Sequence, residues 1–112
     1  MEITKEKKAF YNLLKISSEK LDSTLAPNLK AEFVLLNKNG EKNILVDLSE
    51  VKYCDSSGLS ALLVGNRLCN ELEGKLVINS PQEMVEKIIK ISQLDKVLNI
   101  SNDLEEGESI LA

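Results

Sequence analysis

Two short runs, Ile44-Leu45-Val46-Asp47-Leu48 and Leu76-Val77-Ile78, are almost unbroken in apolar residues, and each precedes an amphipathic helical stretch. A strand that is apolar at nearly every position is covered on both faces, which means a largely parallel sheet with helices packed on it. Few folds satisfy that requirement. The rest of the chain is consistent with it. Glu2–Lys7 reads as a charged edge strand and Phe10–Ile16 as its hairpin partner, with Phe10, Leu14 and Ile16 on one face and Tyr11 and Leu13 on the other. Lys7-Lys8-Ala9 is short enough for the connection, although it lacks the usual Gly or Asn.

Ser17–Ser23 is polar and reads as a loop. Ser23 or Thr24 then caps a helix carrying Leu25, Leu29, Phe33 and Leu36, with Pro27 in its first turn and Asn39-Gly40 at its end. A second helix spans about Gly58–Glu73, with Leu59, Leu62, Leu63, Cys69 and Leu72 as its buried stripe and Gly74 as its stop. Ser80, Pro81 and Glu83 have the spacing of an N-cap, an N1 proline and a capping box. The helix they introduce buries Met84, Val85, Ile88, Ile89 and Ile91. Val97–Ile100 is a last strand, and Asn102–Leu111 a short acidic helix weakened by Gly107. The order β-β-α-β-α-β-α-β-(α) predicts an α/β fold: a mostly parallel central sheet, an N-terminal antiparallel hairpin, and helices packed on the sheet. At 112 residues the chain is one domain, 1–112. Aromatic residues make up only 4%, so the core must be built from Leu, Ile, Val and Ala.

Composition removes whole classes of chemistry. There is no His, which excludes His-based acid–base catalysis and the commonest metal ligand. The only cysteines, Cys54 and Cys69, form no CxxC, so no thiolate metal cluster or other cofactor is expected. Two isolated thiols and no signal peptide point to the cytoplasm, and no apolar run is long enough to insert in a membrane. The formal net charge is −4, and residues 53–112 set five basic side chains against ten acids. That balance argues against nucleic acid and fits a basic protein partner better.

In such sheets function gathers where strands end and helices begin. Two of these loops stand out, Glu19–Thr24 and Lys52–Gly58. Asp55-Ser56-Ser57-Gly58 places two hydroxyls at a helix N-terminus, where free N–H groups and the helix dipole favour negative charge. A phosphate on either serine would meet that field, and Gly58 would leave room for a partner's backbone. On spacing alone, Asp55 or Ser56 acting as a plain N-cap is the commoner meaning.

The segment Asp47-Leu48-Ser49-x-Val51-x-Tyr53-x-Asp55-Ser56-Ser57-Gly58-Leu59 closely resembles the central signature of STAS domains. The resemblance continues through Lys20-Leu21-Asp22-Ser23-Thr24, Ala26-Pro27, Gly74-Lys75-Leu76-Val77 and Ser92–Leu98, and so covers nearly the whole chain. It implies the STAS fold and a non-enzymatic anti-sigma factor antagonist. Ser57 would be the residue phosphorylated by an anti-sigma factor that is itself a serine kinase. The unmodified protein would bind that kinase and free the sigma factor, and a serine phosphatase would reset the cycle. Asp22, with Ser23 and Thr24, would share the partner surface with Asp55, Ser56 and Gly58. The oligomeric state is left between monomer and weak dimer. Glu19-Lys20 stands where Gly-Arg is frequent, Leu25 where Thr is, Ser92-Gln93 where Thr-Gly or Ser-Gly is, and Cys54 where an apolar residue is usual. A second possibility is an unswitched scaffold subunit of a lipid-transport ATPase or stress-sensing complex, with Ser57 only a cap.

Other residues carry weaker signals. Asp47 ends a strand as in an aspartyl-phosphate receiver, but no acidic pair follows the first strand, so a structural role is expected. Cys54 near a helix start could be a nucleophile, yet a small buried hydrophobe is the commoner case, and Cys69 is core. Tyr11 and Tyr53 are read as packing residues, and Glu105-Glu106-Gly107-Glu108 as a solvated, partly frayed end. No glycine loop for nucleotide phosphates is present.

Overall fold

A computed structural model describes residues 2–112. Its strands are β1 (Ile3–Lys7), β2 (Asn12–Ile16), β3 (Lys20–Leu21), β4 (Ile44–Asp47), β5 (Tyr53–Cys54), β6 (Leu76–Asn79) and β7 (Asn99–Ser101). Its helices are α1 (Ala26–Lys38), α2 (Ser56–Glu71), α3 (Glu83–Ile91) and α4 (Leu104–Leu111). Five strands form the main sheet in the order β1-β2-β4-β6-β7. The hairpin β1–β2 is antiparallel, and every other pair is parallel. The expected architecture is present.

Alternation along the strands divides the core between two faces. Leu14, Ile16, Ile44, Val46, Leu76 and Ile78 pack toward Leu29 and Phe33 of α1, Leu59 and Leu62 of α2, and Val85 and Ile89 of α3. Tyr11, Leu45 and Val77 point the other way, where Leu111 of α4 covers them. Both central strands are therefore buried on both sides, which is why their sequence is apolar throughout.

The C-terminal stretch is docked where fraying was expected. Asp103 caps α4 by accepting from the Glu106 N–H at 2.8 Å, and the Glu106 carboxylate accepts from the Asn102 N–H at 2.7 Å. Gly107 is buried, and a Cβ there would lie 2.7 Å from a Leu45 methyl. The glycine that lowers helix propensity is what lets α4 sit on the sheet. The Tyr11 hydroxyl donates to Glu108 at 2.6 Å.

Other local expectations are corrected. Neither Ser23 nor Thr24 caps α1. The Asp22 carbonyl accepts from the N–H groups of Leu25 and Ala26, and no side chain caps the helix, although Pro27 does lie in its first turn. Ser80 is not an N-cap. It takes φ of 55°, its N–H donates to the Ser101 carbonyl, and its hydroxyl donates to the Asn102 carbonyl, so it extends the β6–β7 pairing. The helix starts later, at Glu83, behind Gln82. Glu73 rather than Gly74 adopts the left-handed turn after α2, and Gly74 is where the Lys42 backbone presses closest. Phe10, Met84, Ile91 and Val97 are exposed, and Leu63 and Leu72 are only half-buried. The Ser17–Ser23 loop contains β3.

Candidate functional site

Asp55 is the residue that stops β5 and starts α2. Its backbone is extended, its carboxylate accepts from the Gly58 N–H at 3.0 Å, and its carbonyl accepts from the Leu59 N–H at 3.0 Å. Those are the marks of an N-cap. The capping role thus belongs to Asp55, which leaves Ser56 and Ser57 in the first two helical positions with no capping to do. Ser56 is exposed and Ser57 half-buried, at the positive end of a sixteen-residue helix.

The second loop is brought alongside by a feature the sequence does not announce. β3 and β5 pair as a two-stranded parallel ribbon, Lys20 against Tyr53 and Leu21 against Cys54. The Glu19 carbonyl accepts from the N–H groups of Lys52 and Tyr53 at 2.8 and 3.0 Å, and the Leu21 carbonyl from the Asp55 N–H at 3.3 Å. Asp22 and Asp55 are therefore the next residues on neighbouring strands. Asp22 is half-buried, and its carboxylate accepts from the Thr24 N–H at 3.0 Å, which shapes the turn through exposed Ser23 and Thr24. Two-residue strands are too short to show a period, so hydrophobic patterning could not have identified this pairing, although the family resemblance implied that the two loops share a surface.

Gly58 locks the ribbon to the helix. A Cβ there would lie 2.4 Å from the Leu21 carbonyl oxygen and 2.7 Å from the Cys54 sulphur. The space beside Gly58 is filled from inside the molecule, so the expectation that it opens room for a partner is overturned. Cys54 is 1% exposed, and burial, with the Asp55 charge adding to it, pushes its thiol up to about 12. Burial also pushes the Cys69 thiol up to about 12. Both sulphurs are core atoms and not nucleophiles. Asp47 turns its carboxylate onto the Ser49 N–H at 2.9 Å and closes the strand end, as a structural residue would.

The surface around this corner is acidic. Lys52 pairs with Glu19 at 3.1 Å, and Lys15 with Glu50 at 2.9 Å. Among the described residues, Asp22, Asp55 and Glu83 enter no ion pair. Tyr53, expected to pack, is 47% exposed on the outer side of the ribbon. Tyr11 is buried on the α4 side, where burial and then its hydrogen bond to Glu108 raise its phenol to about 12. No helix among the described residues is long and apolar enough to cross a membrane.

Comparison with known proteins places this geometry. The family model described as STAS domain matches residues 4–107. The anti-sigma-B factor antagonist of Staphylococcus aureus is 26% identical over 96 residues, 86% of this chain and 87% of that one. An anti-sigma-factor antagonist (STAS) domain protein from Planctomyces limnophilus superposes with a TM-score of 0.87 at 17% identity, covering 97% of both chains. The Bacillus cell fate determinant SpoIIAA in its phosphorylated form superposes with a TM-score of 0.73 at 19% identity, covering 96% of both.

Proposed function

The chain belongs to the STAS domain family, and from that premise we propose that it is an anti-sigma factor antagonist switched by phosphorylation of Ser57. The unmodified corner, formed by Asp22, Ser23 and Thr24 on one side and Asp55 and Ser56 on the other, docks on an anti-sigma factor that is also a serine kinase. The observation that carries this reading is the division of labour at α2. Asp55 does the capping, so the Ser57 hydroxyl is free for chemistry on a helix end that favours an anion.

The transfer is a phosphoryl exchange. The Ser57 oxygen attacks the terminal phosphorus of ATP held by the kinase, the bond to ADP breaks, and the serine proton passes to a base on the kinase. This chain supplies only the acceptor. The product carries about −1.5 to −2 charges and three acceptor oxygens at pH 7. It faces the phosphates of the kinase's own nucleotide. Like charges brought together in an interface cost several kcal/mol, and each 1.4 kcal/mol or so is a tenfold loss of affinity. The fold need not rearrange, because the helix end that carries the group tolerates its charge.

The test uses a purified anti-sigma factor serine kinase. Intact mass and peptide mapping should find one phosphoryl group, on Ser57. Ser57→Ala should bind the kinase constitutively, and Ser57→Asp should bind at least tenfold more weakly. If both variants bind as wild type, the switch is refuted and the unswitched scaffold reading takes its place.

A further inference from the structure

Tyr53 is the aromatic residue nearest the acceptor in sequence, four positions before Ser57, and it is 47% exposed. Its neighbour Cys54 turns inward against Leu21 and Gly58, so strand alternation turns the Tyr53 ring out. The ribbon that presents it is pinned at both ends by the Glu19 and Leu21 carbonyls. A large ring held rigidly at the surface loses little entropy when a partner covers it, and Tyr is among the residues that dominate interface energies. The same rim continues to α3. That helix packs against β5, and the Gln82 amide donates to the Ser49 carbonyl at 2.8 Å, which fixes its first turn. Met84 in that turn is 54% exposed.

Charge indicates what would cover this strip. Among the described residues, the carboxylates of Asp22, Asp47, Asp55 and Glu83 on this rim enter no ion pair, and of the nearby cations Lys20 and Lys87 enter none, so the rim is acidic on balance. Leu35, 46% exposed, lies on α1, outside the ribbon and α3 that carry Tyr53 and Met84.

We infer that the docking surface runs from the Ser57 corner over Tyr53 to Met84 at the start of α3, and that it fits a protein face with an apolar pocket bordered by Arg or Lys. This rests on the function proposed above. The Tyr53 ring fills the pocket, and its π face takes a cation. The partner's basic residues answer Asp22, Asp55 and Glu83. Its nucleotide phosphates lie only over Ser57, so the phosphorylated serine is repelled although the rim as a whole attracts.

The experiment titrates a purified anti-sigma factor serine kinase that modifies this chain against the unphosphorylated wild type, three surface variants and the two Ser57 variants. Tyr53→Ala should weaken binding at least tenfold, while Tyr53→Phe stays within about threefold. Leu35→Ala, on a different face, should bind as wild type. Raising the salt from about 0.1 M to about 1 M, which shortens the screening length from about 10 Å to about 3 Å, should weaken the wild-type complex. Wild-type affinity for Tyr53→Ala, alongside lost binding for Ser57→Asp, overturns this surface and leaves the switch standing. Indifference to salt overturns the basic partner face. If Ser57→Asp and Ser57→Ala both bind as wild type, the underlying switch fails instead.

Discussion

Single atoms decide the behaviour of the corner. At Gly58 one extra carbon would collide with a backbone carbonyl, which cannot rotate away as a side-chain tip can. Gly58→Ala is therefore expected to cost about 1–3 kcal/mol, read as a lower urea midpoint. Its phosphorylation should suffer as well, because the ribbon and α2 must part. At Cys54 the expected outcome is inertness. A thiol raised to about 12 is almost wholly protonated at pH 8, and it is sealed from solvent. Iodoacetamide should leave Cys54 and Cys69 unmodified in the native protein and alkylate both in denaturant, as mass spectrometry would record. Rapid native labelling of Cys54 would restore the nucleophile that the structure removes. Residue order narrowed the cap to Asp55 or Ser56, because an N-cap leaves a local signature, and the fold gives it to Asp55; Ser57 was pointed to by the family resemblance alone. The crowding around Gly58 was not readable, because Leu21 lies far away in the chain.

Among the elements, α4 makes the sharpest prediction. Tyr11 ionises at about 12 in the fold against an ordinary 10, so the folded state holds that proton more tightly than the unfolded one. Its contribution is complete below about pH 10 and is lost as pH rises toward 12. Tyr11→Phe should remove that alkaline dependence and cost about 1–3 kcal/mol at neutral pH through the lost hydrogen bond to Glu108. Denaturant melts across the pH range would measure both effects. The elements also show where residue patterns stop informing. β4 and β6 announce themselves because burial on two faces demands apolar residues throughout. The Ser80-Pro81-x-Glu83 pattern misleads because Ser80 is held by β7, a tertiary pairing that overrides a local preference. Gly107 misleads for the same reason, since contact with Leu45 outweighs its poor helix propensity. β3 and β5 stay silent because two residues carry no period, yet they join the two loops of the candidate site.

For the molecule as a whole, the arrangement separates stability from signalling. The helix N-termini of α2 and α3, the Asp22 turn and the ends of β4 and β6 share one rim of the sheet, while the core lies beneath. Ser57→Asp should therefore leave the urea midpoint nearly unchanged, with a contribution of about 0.3–1 kcal/mol in the stabilising direction from the helix dipole. Its near-ultraviolet spectrum should match that of wild type. A large loss of stability would mean that Ser57 is structural. The opposite pole of the molecule is built by α4, which runs away from that rim until Lys75, just before β6, reaches the Ile110 carbonyl at 3.3 Å. A fluorophore or surface tether fused after Ala112 therefore points away from any visitor at Ser57, and an immobilised or labelled version keeps its working end open.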